Sequence, residues 1–174
     1  IDNRTGKFLA AHRGDLFLDE IGELSPSAQV KLLRVLQEKV IMPVGSEKEI
    51  EVDVRVIAAT NRDLEKMVSA GTFREDLFFR LNKVMLYTTP LREKKEDIIL
   101  LADTFAKKQM PGATISAEAK KLIENHWWKG NIRELSNTIE RACILAKGDS
   151  TYKIEPKHLL LSTMKTNSEQ VTVP

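Results

Sequence analysis

Two acids side by side, Asp19 and Glu20, follow directly on the apolar run Leu16-Phe17-Leu18, with Gly22 close behind. A continuous apolar run suits a strand buried on both faces of a parallel sheet. In open α/β sheets ligands lie just beyond the carboxyl ends of the strands, which puts Asp19 at a ligand edge with Glu20 beside it. Carboxylates in that position serve phosphate chemistry: magnesium binds a carboxylate together with phosphate oxygens and water. A neighbouring glutamate can orient or deprotonate an attacking water. The plainer alternative is an Asp-Glu pair that opens a turn with both acids in water, and the pair alone does not decide between the two.

Other reactive types are sparse. Cys143 is the one cysteine, so no intramolecular disulfide forms, and a reducing cytosol fits. It sits in an apolar helical pattern and reads as a small core residue rather than a nucleophile. His12, His126 and His158 are scattered without metal-ligand spacing and read as solvated or packing side chains. The formal net charge of +2 argues against a dominant nucleic-acid surface. No segment reaches the ~18–20 apolar residues of a membrane span. No signal peptide is visible, so a cytoplasmic location is expected.

The elements that must position the acids follow from local signals. Residues 1–13 are polar and basic, with Phe8 and Leu9 anchoring a short helix or turn. After the first strand, Ser25-Pro26 reads as an N-cap followed by proline at the first helical position. Ala28, Leu32, Leu33 and Leu36 then recur at helical spacing, to about Lys39. The stretch from Met42 to Glu51 contains Pro43, Gly45 and Ser46 and reads as a loop. Val52 to Ala59 reads as a second strand, ending at Thr60-Asn61. Short helices are expected from Asp63 to Ala70, closed by Gly71, and from Glu75 to Leu81. Val84 to Tyr87 reads as a third strand, stopped by Pro90.

Beyond the charge run at 92–97 the pattern is helical. One helix is expected from Glu96 to Lys108, broken by Pro111-Gly112, and a second from the Ser116 cap to Glu124. A third begins at Asn131 with Glu134 as capping-box partner, buries Leu135, Ile139, Ala142 and Cys143, and ends at Gly148. Ile154-Glu155-Pro156 opens a last short helix containing Leu159 and Leu160. The expected fold class is α/β, a partial parallel-sheet domain at 1–93 followed by an all-α unit at 94–165. A polar, disordered tail is expected at 166–174.

Taken in order, these blocks resemble the central AAA+ domain of sigma-54-dependent, NtrC-like transcriptional activators. The resemblance rests on Gly14 to Leu24 and on Gln29-Val30-Lys31-Leu32-Leu33-Arg34-Val35-Leu36-Gln37-Glu38. Val54 to Asn61 resembles that family's sensor I strand, and Phe73-Arg74-Glu75-Asp76-Leu77-Phe78-Phe79-Arg80-Leu81-Asn82 its arginine-finger segment. Pro90-Leu91-Arg92-Glu93 with Glu96-Asp97-Ile98 resembles the start of its lid, and Gly130-Asn131-Ile132-Arg133-Glu134-Leu135 its sensor II motif.

The resemblance implies a role for each matching residue. Asp19 and Glu20 are the Walker-B pair, with Asp19 at the Mg²⁺. Asn61 reads the γ-phosphate or places the water, where an amide can donate and accept; without its neighbours it reads as a turn asparagine. Arg74 and Arg80 are arginine fingers reaching the nucleotide of the next subunit, for which a planar permanent cation suits transition-state charge. Their plainer reading is a pair of salt-bridged surface arginines. Arg133 is the sensor II residue at the nucleotide; otherwise it is a first-turn arginine packing on Trp127 or Trp128. Asp19, Glu20, Asn61, Arg74 and Arg80 form the implied catalytic set, with Asp19, Glu20, Asn61 and Arg133 contacting ATP.

The sequence departs from the family pattern in places. Nothing matches the phosphate-binding G-x-x-x-x-G-K-[ST] or the sigma-contacting GAFTGA loop, and the family's helix-turn-helix DNA reader is not seen. The start at Ile1 rather than Met reads as a fragment of something longer, with the first two motifs upstream. Trp128-Lys129-Gly130 replaces a common Trp-Pro-Gly and removes a fixed φ, which could loosen the lid turn. Arg13-Gly14-Asp15 stands where paired glycines and a threonine are usual.

The implied function is part of an ATP-driven, ring-forming activator acting on sigma-54 RNA polymerase, touching DNA only through a domain not present here and no membrane. The alternative is a P-loop-less, non-hydrolysing interaction module derived from the same fold. A different AAA+ branch, such as a helicase loader or chelatase subunit, fits the Phe73 to Asn82 block less well.

Overall fold

The computed structural model describes residues 6–43 and 48–161. Gly45 and Ser46 of the expected loop, and the expected disordered tail at 166–174, lie outside the described residues. The chain divides into two compact units, Ile1–Leu86 and Tyr87–Pro174.

The first unit opens with α1 (Lys7–Ala10) and β1 (Gly14–Leu18). A 3₁₀ turn at Ile21–Glu23 leads into α2 (Pro26–Glu38). Two short strands, β2 (Val40–Ile41) and β3 (Ile50–Glu51), precede β4 (Val54–Ala58), α3 (Leu64–Ser69) and α4 (Glu75–Leu81). The start of α2 is as its sequence dictates: Ser25 Oγ accepts from Ala28 N at 3.3 Å, and Pro26 occupies the first turn. Its end comes at Lys39, in left-handed backbone at φ 56°. Leu32 and Leu33 of α2 share a core with Phe73, Leu77 and Phe78. The helix α3 is capped by Asp63, whose Oδ1 accepts from Lys66 N at 3.1 Å, and is followed by Gly71 at φ 69°.

The strands β1 and β4 pair in parallel, from Gly14↔Val54 to Leu18↔Ala58. Four expectations need correction here. The first strand is not buried on both faces: Phe17 is 60 % exposed and its ladder partner Ile57 43 %. Leu16, Leu18, Val54 and Val56 are half-buried, whereas Phe17, Arg55 and Ile57 on the opposite face are exposed, and among the described residues this sheet has two strands. The loop expected from Met42 to Glu51 is entered and left by an antiparallel pair, Val40↔Glu51 and Ile41↔Ile50. Val52 falls out of the strand because its amide donates to Lys39 O at 2.7 Å instead of joining the β4 ladder. Finally, 84–87 forms no strand. Its β-forming residues join no ladder among the described residues, and Val84, Leu86 and Tyr87 are 81 %, 89 % and 84 % exposed. A strand exists through its partner, not through propensity alone.

The second unit begins with a 3₁₀ turn at Leu91–Glu93 and continues with α5 (Lys95–Gln109), β5 (Thr114–Ile115) and α6 (Ala117–Asn125). The long α7 (Asn131–Gly148), β6 (Lys153–Ile154) and a 3₁₀ turn at Pro156–His158 complete it. The helix α5 packs on α6 and α7, and Ile98, Ala102, Ile123, Leu135 and Ile139 are wholly buried between them. Cys143 is a core residue as expected, and burial pushes its thiol pKa up.

This unit also differs from its sequence reading. It is not purely helical, since β5 and β6 pair in parallel through Thr114↔Lys153 and Ile115↔Ile154. The last helix is a single 3₁₀ turn, and Leu159 and Leu160 lie beyond it. There the amide of Glu155 donates to His158 Nδ1 at 3.0 Å. The capping box at Asn131 is replaced by a different pair of bonds. Asn131, at φ 53°, accepts on Oδ1 from Leu91 N at 2.9 Å, and Glu134 Oε2 accepts from Gly130 N at 2.8 Å. The lid turn is therefore pinned even with Lys129 in place of a proline.

Candidate functional site

Parallel pairing brings the two strand tips to one edge of the sheet. Beyond the last ladder pair, Ala59 N donates to Leu18 O at 2.8 Å and Ile21 N donates to Ala59 O at 3.0 Å. Asp19 and Glu20 therefore lie on the same edge as Thr60 and Asn61. All but Thr60 are exposed. Asp19 Oδ1 accepts from Glu20 N at 2.9 Å, which closes the tip on itself. Glu20 stands at φ 53° and ψ 42°, the left-handed region that side chains rarely adopt. That kink turns the chain out of β1 and into the 3₁₀ turn.

The two tips are fitted to each other. A β-carbon added to Gly22 would stand 2.8 Å from Thr60 Oγ1 and 3.1 Å from Arg62 Cβ. Glu23 meets the Arg62 Nε at 2.6 Å, and Thr60 Oγ1 accepts from Arg62 N at 3.1 Å. None of these contacts was read in the sequence. The charged depression at Arg13, Asp15, Asp53 and Arg55 lies at the other ends of the strands. Its Arg55–Asp15 contact is a cross-strand ion pair at 2.8 Å, a surface feature of the sheet's amino edge rather than a ligand site.

Arg74 and Arg80 flank α4, Arg74 as its N-cap and Arg80 in its last turn. Both are exposed and outside the unit's core. The Arg74 guanidinium grips Asp76 with two bonds, Nε to Oδ1 at 2.9 Å and Nη2 to Oδ2 at 2.6 Å. Those hydrogen bonds, and then the charge attraction, raise the arginine's pKa; the same bonds hold Asp76 below the usual carboxylate range. Arg80 donates from Nε and Nη2 to Leu36 O, at 3.2 and 2.8 Å, in the last turn of α2. A carbonyl there carries the negative end of the helix dipole. Each guanidinium keeps N–H donors beyond these bonds.

Gln29 is the residue the sequence reading passed over. It is 1 % exposed, and its amide joins three backbone groups. Nε2 donates to Leu24 O at 3.0 Å and to Thr72 O at 3.1 Å, while Oε1 accepts from Arg74 N at 2.9 Å. The signal was available: Gln29 falls on the apolar stripe with Leu32, Leu33 and Leu36, where a polar residue needs internal partners.

Arg133 belongs to the second unit, exposed in the first turn of α7. It is not the cation on Trp127: that place is taken by Arg92, 4.9 Å from the ring centroid. Trp128 is buried and donates from Nε1 to Ile123 O at 2.8 Å. His12 accepts on Nδ1 from Asp53 N at 3.2 Å, His126 lies against Trp128, and no cluster among the described residues could hold a metal through histidine, cysteine and carboxylates together.

A parallel α/β unit with acids and an amide on its carboxyl edge, followed along the chain by a helical unit, defines an AAA+ domain with a lid. Residues 1–87 match the Sigma-54 interaction domain, and residues 92–173 match the AAA+ ATPase lid domain. The chain belongs to the Sigma-54 interaction domain family of bacterial transcriptional regulators. It is 50 % identical over 151 residues to the Nif-specific regulatory protein of Herbaspirillum seropedicae, covering 84 % of this chain and 28 % of that one. It is 47 % identical over 171 residues to the anaerobic nitric oxide reductase transcription regulator NorR of Salmonella agona, covering 93 % and 34 %. Among solved structures, NtrX from Brucella abortus in complex with ADP superposes with a TM-score of 0.84 at 34 % identity, covering all of this chain and 43 % of that one. The same protein in complex with ATP gives a TM-score of 0.80 at 38 % identity, over 86 % of this chain and 36 % of that one. The chain thus spans about a third of the curated relatives it matches. No described helix is long and apolar enough to cross a membrane.

Proposed function

We propose that this chain supplies the acid, sensor and arginine-finger part of an ATP-hydrolysing ring that acts on sigma-54 RNA polymerase. Residues 1–93 carry the α/β part and 94–165 the lid, DNA being bound through another domain. The observation that carries the reading is the parallel β1–β4 register, which sets Asp19, Glu20 and Asn61 on one edge. Support comes also from NtrX, a structural relative crystallised with ATP and with ADP.

The donor set fits Mg-ATP at the metal end. Asp19 offers a hard, exposed oxygen to Mg²⁺, whose chemistry when bound is to neutralise phosphate charge. Glu20, at the turn just past Asp19, orients the attacking water and accepts its proton. Asn61 donates to a phosphate oxygen or holds that water from the neighbouring tip. Arg74 and Arg80 present planar cations to the site of the adjacent subunit, and Arg133 of the lid contacts the nucleotide. In the full-length protein, Arg80→Ala should abolish ATP turnover and leave nucleotide binding nearly intact, measured by steady-state hydrolysis and a fluorescent nucleotide titration. Loss of binding in that variant would remove Arg80 from a role in trans.

A further inference from the structure

We propose that Gln29 is a positioning residue for Arg74, tying the finger segment to the loop that leaves the acidic strand tip. The inference rests on the reading of Arg74 as a finger that acts on a neighbouring subunit.

A primary amide has two donor hydrogens and a carbonyl acceptor. Gln29 spends both donors and its acceptor on backbone: Leu24 O, Thr72 O and Arg74 N. Two of those partners flank Phe73, itself 3 % exposed, so the amide grips the chain on either side of a core anchor. The third, Leu24 O, belongs to the residue whose N–H closes the 3₁₀ turn on Ile21 O, the turn that begins directly after Glu20. One rigid side chain therefore links the exit from the acid pair to the residue that opens α4.

Arg74 needs such a hold. It is the N-cap of α4 but makes no side-chain cap bond to a backbone N–H, and its guanidinium holds only the Asp76 side chain of the first turn. Its backbone is extended, at φ −73° and ψ 131°, a conformation set from outside the helix. The bond from its amide to Gln29 Oε1 is that outside constraint. Arg80 is docked on the same helix, at Leu36 O. The two ends of α2 thus fix both arginines, the amino end through Gln29 and the carboxyl end through a carbonyl. Side-chain placement at a phosphoryl-transfer site is exacting, since an error of about 1 Å can cost about 10²-fold in rate. A buried, fully used amide is suited to hold it.

The test is subunit complementation in the full-length protein. Gln29→Met keeps the side chain's length and removes all three bonds. It should lower kcat for ATP about tenfold or more with KM little changed, because the finger serves the transition state. Mixed with Glu20→Gln subunits, whose own site is dead but whose fingers are intact, Gln29→Met subunits should regain turnover above the average of the two separate preparations. Arg74→Ala mixed with Glu20→Gln is the reference and should do the same. If the reference pair complements and the Gln29→Met pair does not, the positioning role is overturned and the finger reading stands. If the reference pair itself fails, the finger reading falls and takes this inference with it. Gln29→Glu is a second variant: burial favours its neutral acid, which still accepts from Arg74 N. It should keep kcat within about threefold of the parent, and a loss equal to that of Gln29→Met overturns the role.

Discussion

At Gly22 the absence of one carbon is what lets the two strand tips meet. The nearest atoms to an added Cβ are Thr60 Oγ1 at 2.8 Å and the Arg62 Cβ and Cδ, both at 3.1 Å. The hydroxyl can rotate away, though at the cost of its bond from Arg62 N. Arg62 Cβ is fixed to the backbone and cannot. Gly22→Ala should therefore push the Asn61 loop from the acid tip and destabilise the first unit by about 1–3 kcal/mol, as overpacking of a tight contact does. Urea unfolding checks the figure. A stability equal to the parent's would show that the tips separate freely. The sequence announced Gly22 only as a glycine after two acids, because the atoms that require it come from a loop about forty residues later in the chain.

At the scale of elements, what the sequence could reveal was what local chemistry decides. Ser25-Pro26 and Ser116 announced their helices through caps that act within a few residues, and each cap is made. The span 84–87 failed because a strand is a property of two segments, and β-branched composition names neither the partner nor its presence. The strand-tip position of the acids followed from type and spacing, and the apolar stripe marked Gln29 as needing internal partners, but it could not name them, since Arg74 lies 45 residues away. The turn after α7 shows the same non-local logic in charge. Asp149 accepts from Lys157 Nζ and meets His158 Nε2 at 3.1 Å. The Lys157 bond first, and the His158 bond next, hold the Asp149 carboxyl below its ordinary range. A depressed folded pKa means that the unfolded chain binds more protons through that window. The contribution is complete above about pH 4, the unfolded value, and is lost as pH falls through the lower folded value. Asp149→Asn should thus lower the Tm modestly at neutral pH, with the difference from the parent vanishing in strong acid. A Tm gap that stayed constant down to the acid limit would show that the loss comes from packing and not from charge.

At the scale of the whole molecule, the chain holds the metal and water end of the proposed site without a phosphate cradle of its own. Nothing in its 174 residues reads G-x-x-x-x-G-K-[ST]. In nucleotide sites of this kind the triphosphate is held chiefly by a ring of backbone N–H groups and a lysine, which need little reorganisation on binding. What remains here is an exposed carboxylate edge. Attraction through a metal at such an edge is weakened by water and by salt, because a charge pair about 4 Å apart gains only about 1 kcal/mol in bulk solvent. A dissociation constant of about 1 μM needs about 8 kcal/mol. The edge groups fall well short of that sum, and Arg74 and Arg80 are aimed by the proposal at a neighbour's nucleotide instead. Calorimetric titration of these 174 residues with Mg-ATP should therefore show no micromolar binding, and the isolated chain should not hydrolyse ATP. Micromolar affinity would mean that the triphosphate is gripped by groups other than a P-loop, and the division of labour proposed between the edge and the cradle would have to be abandoned.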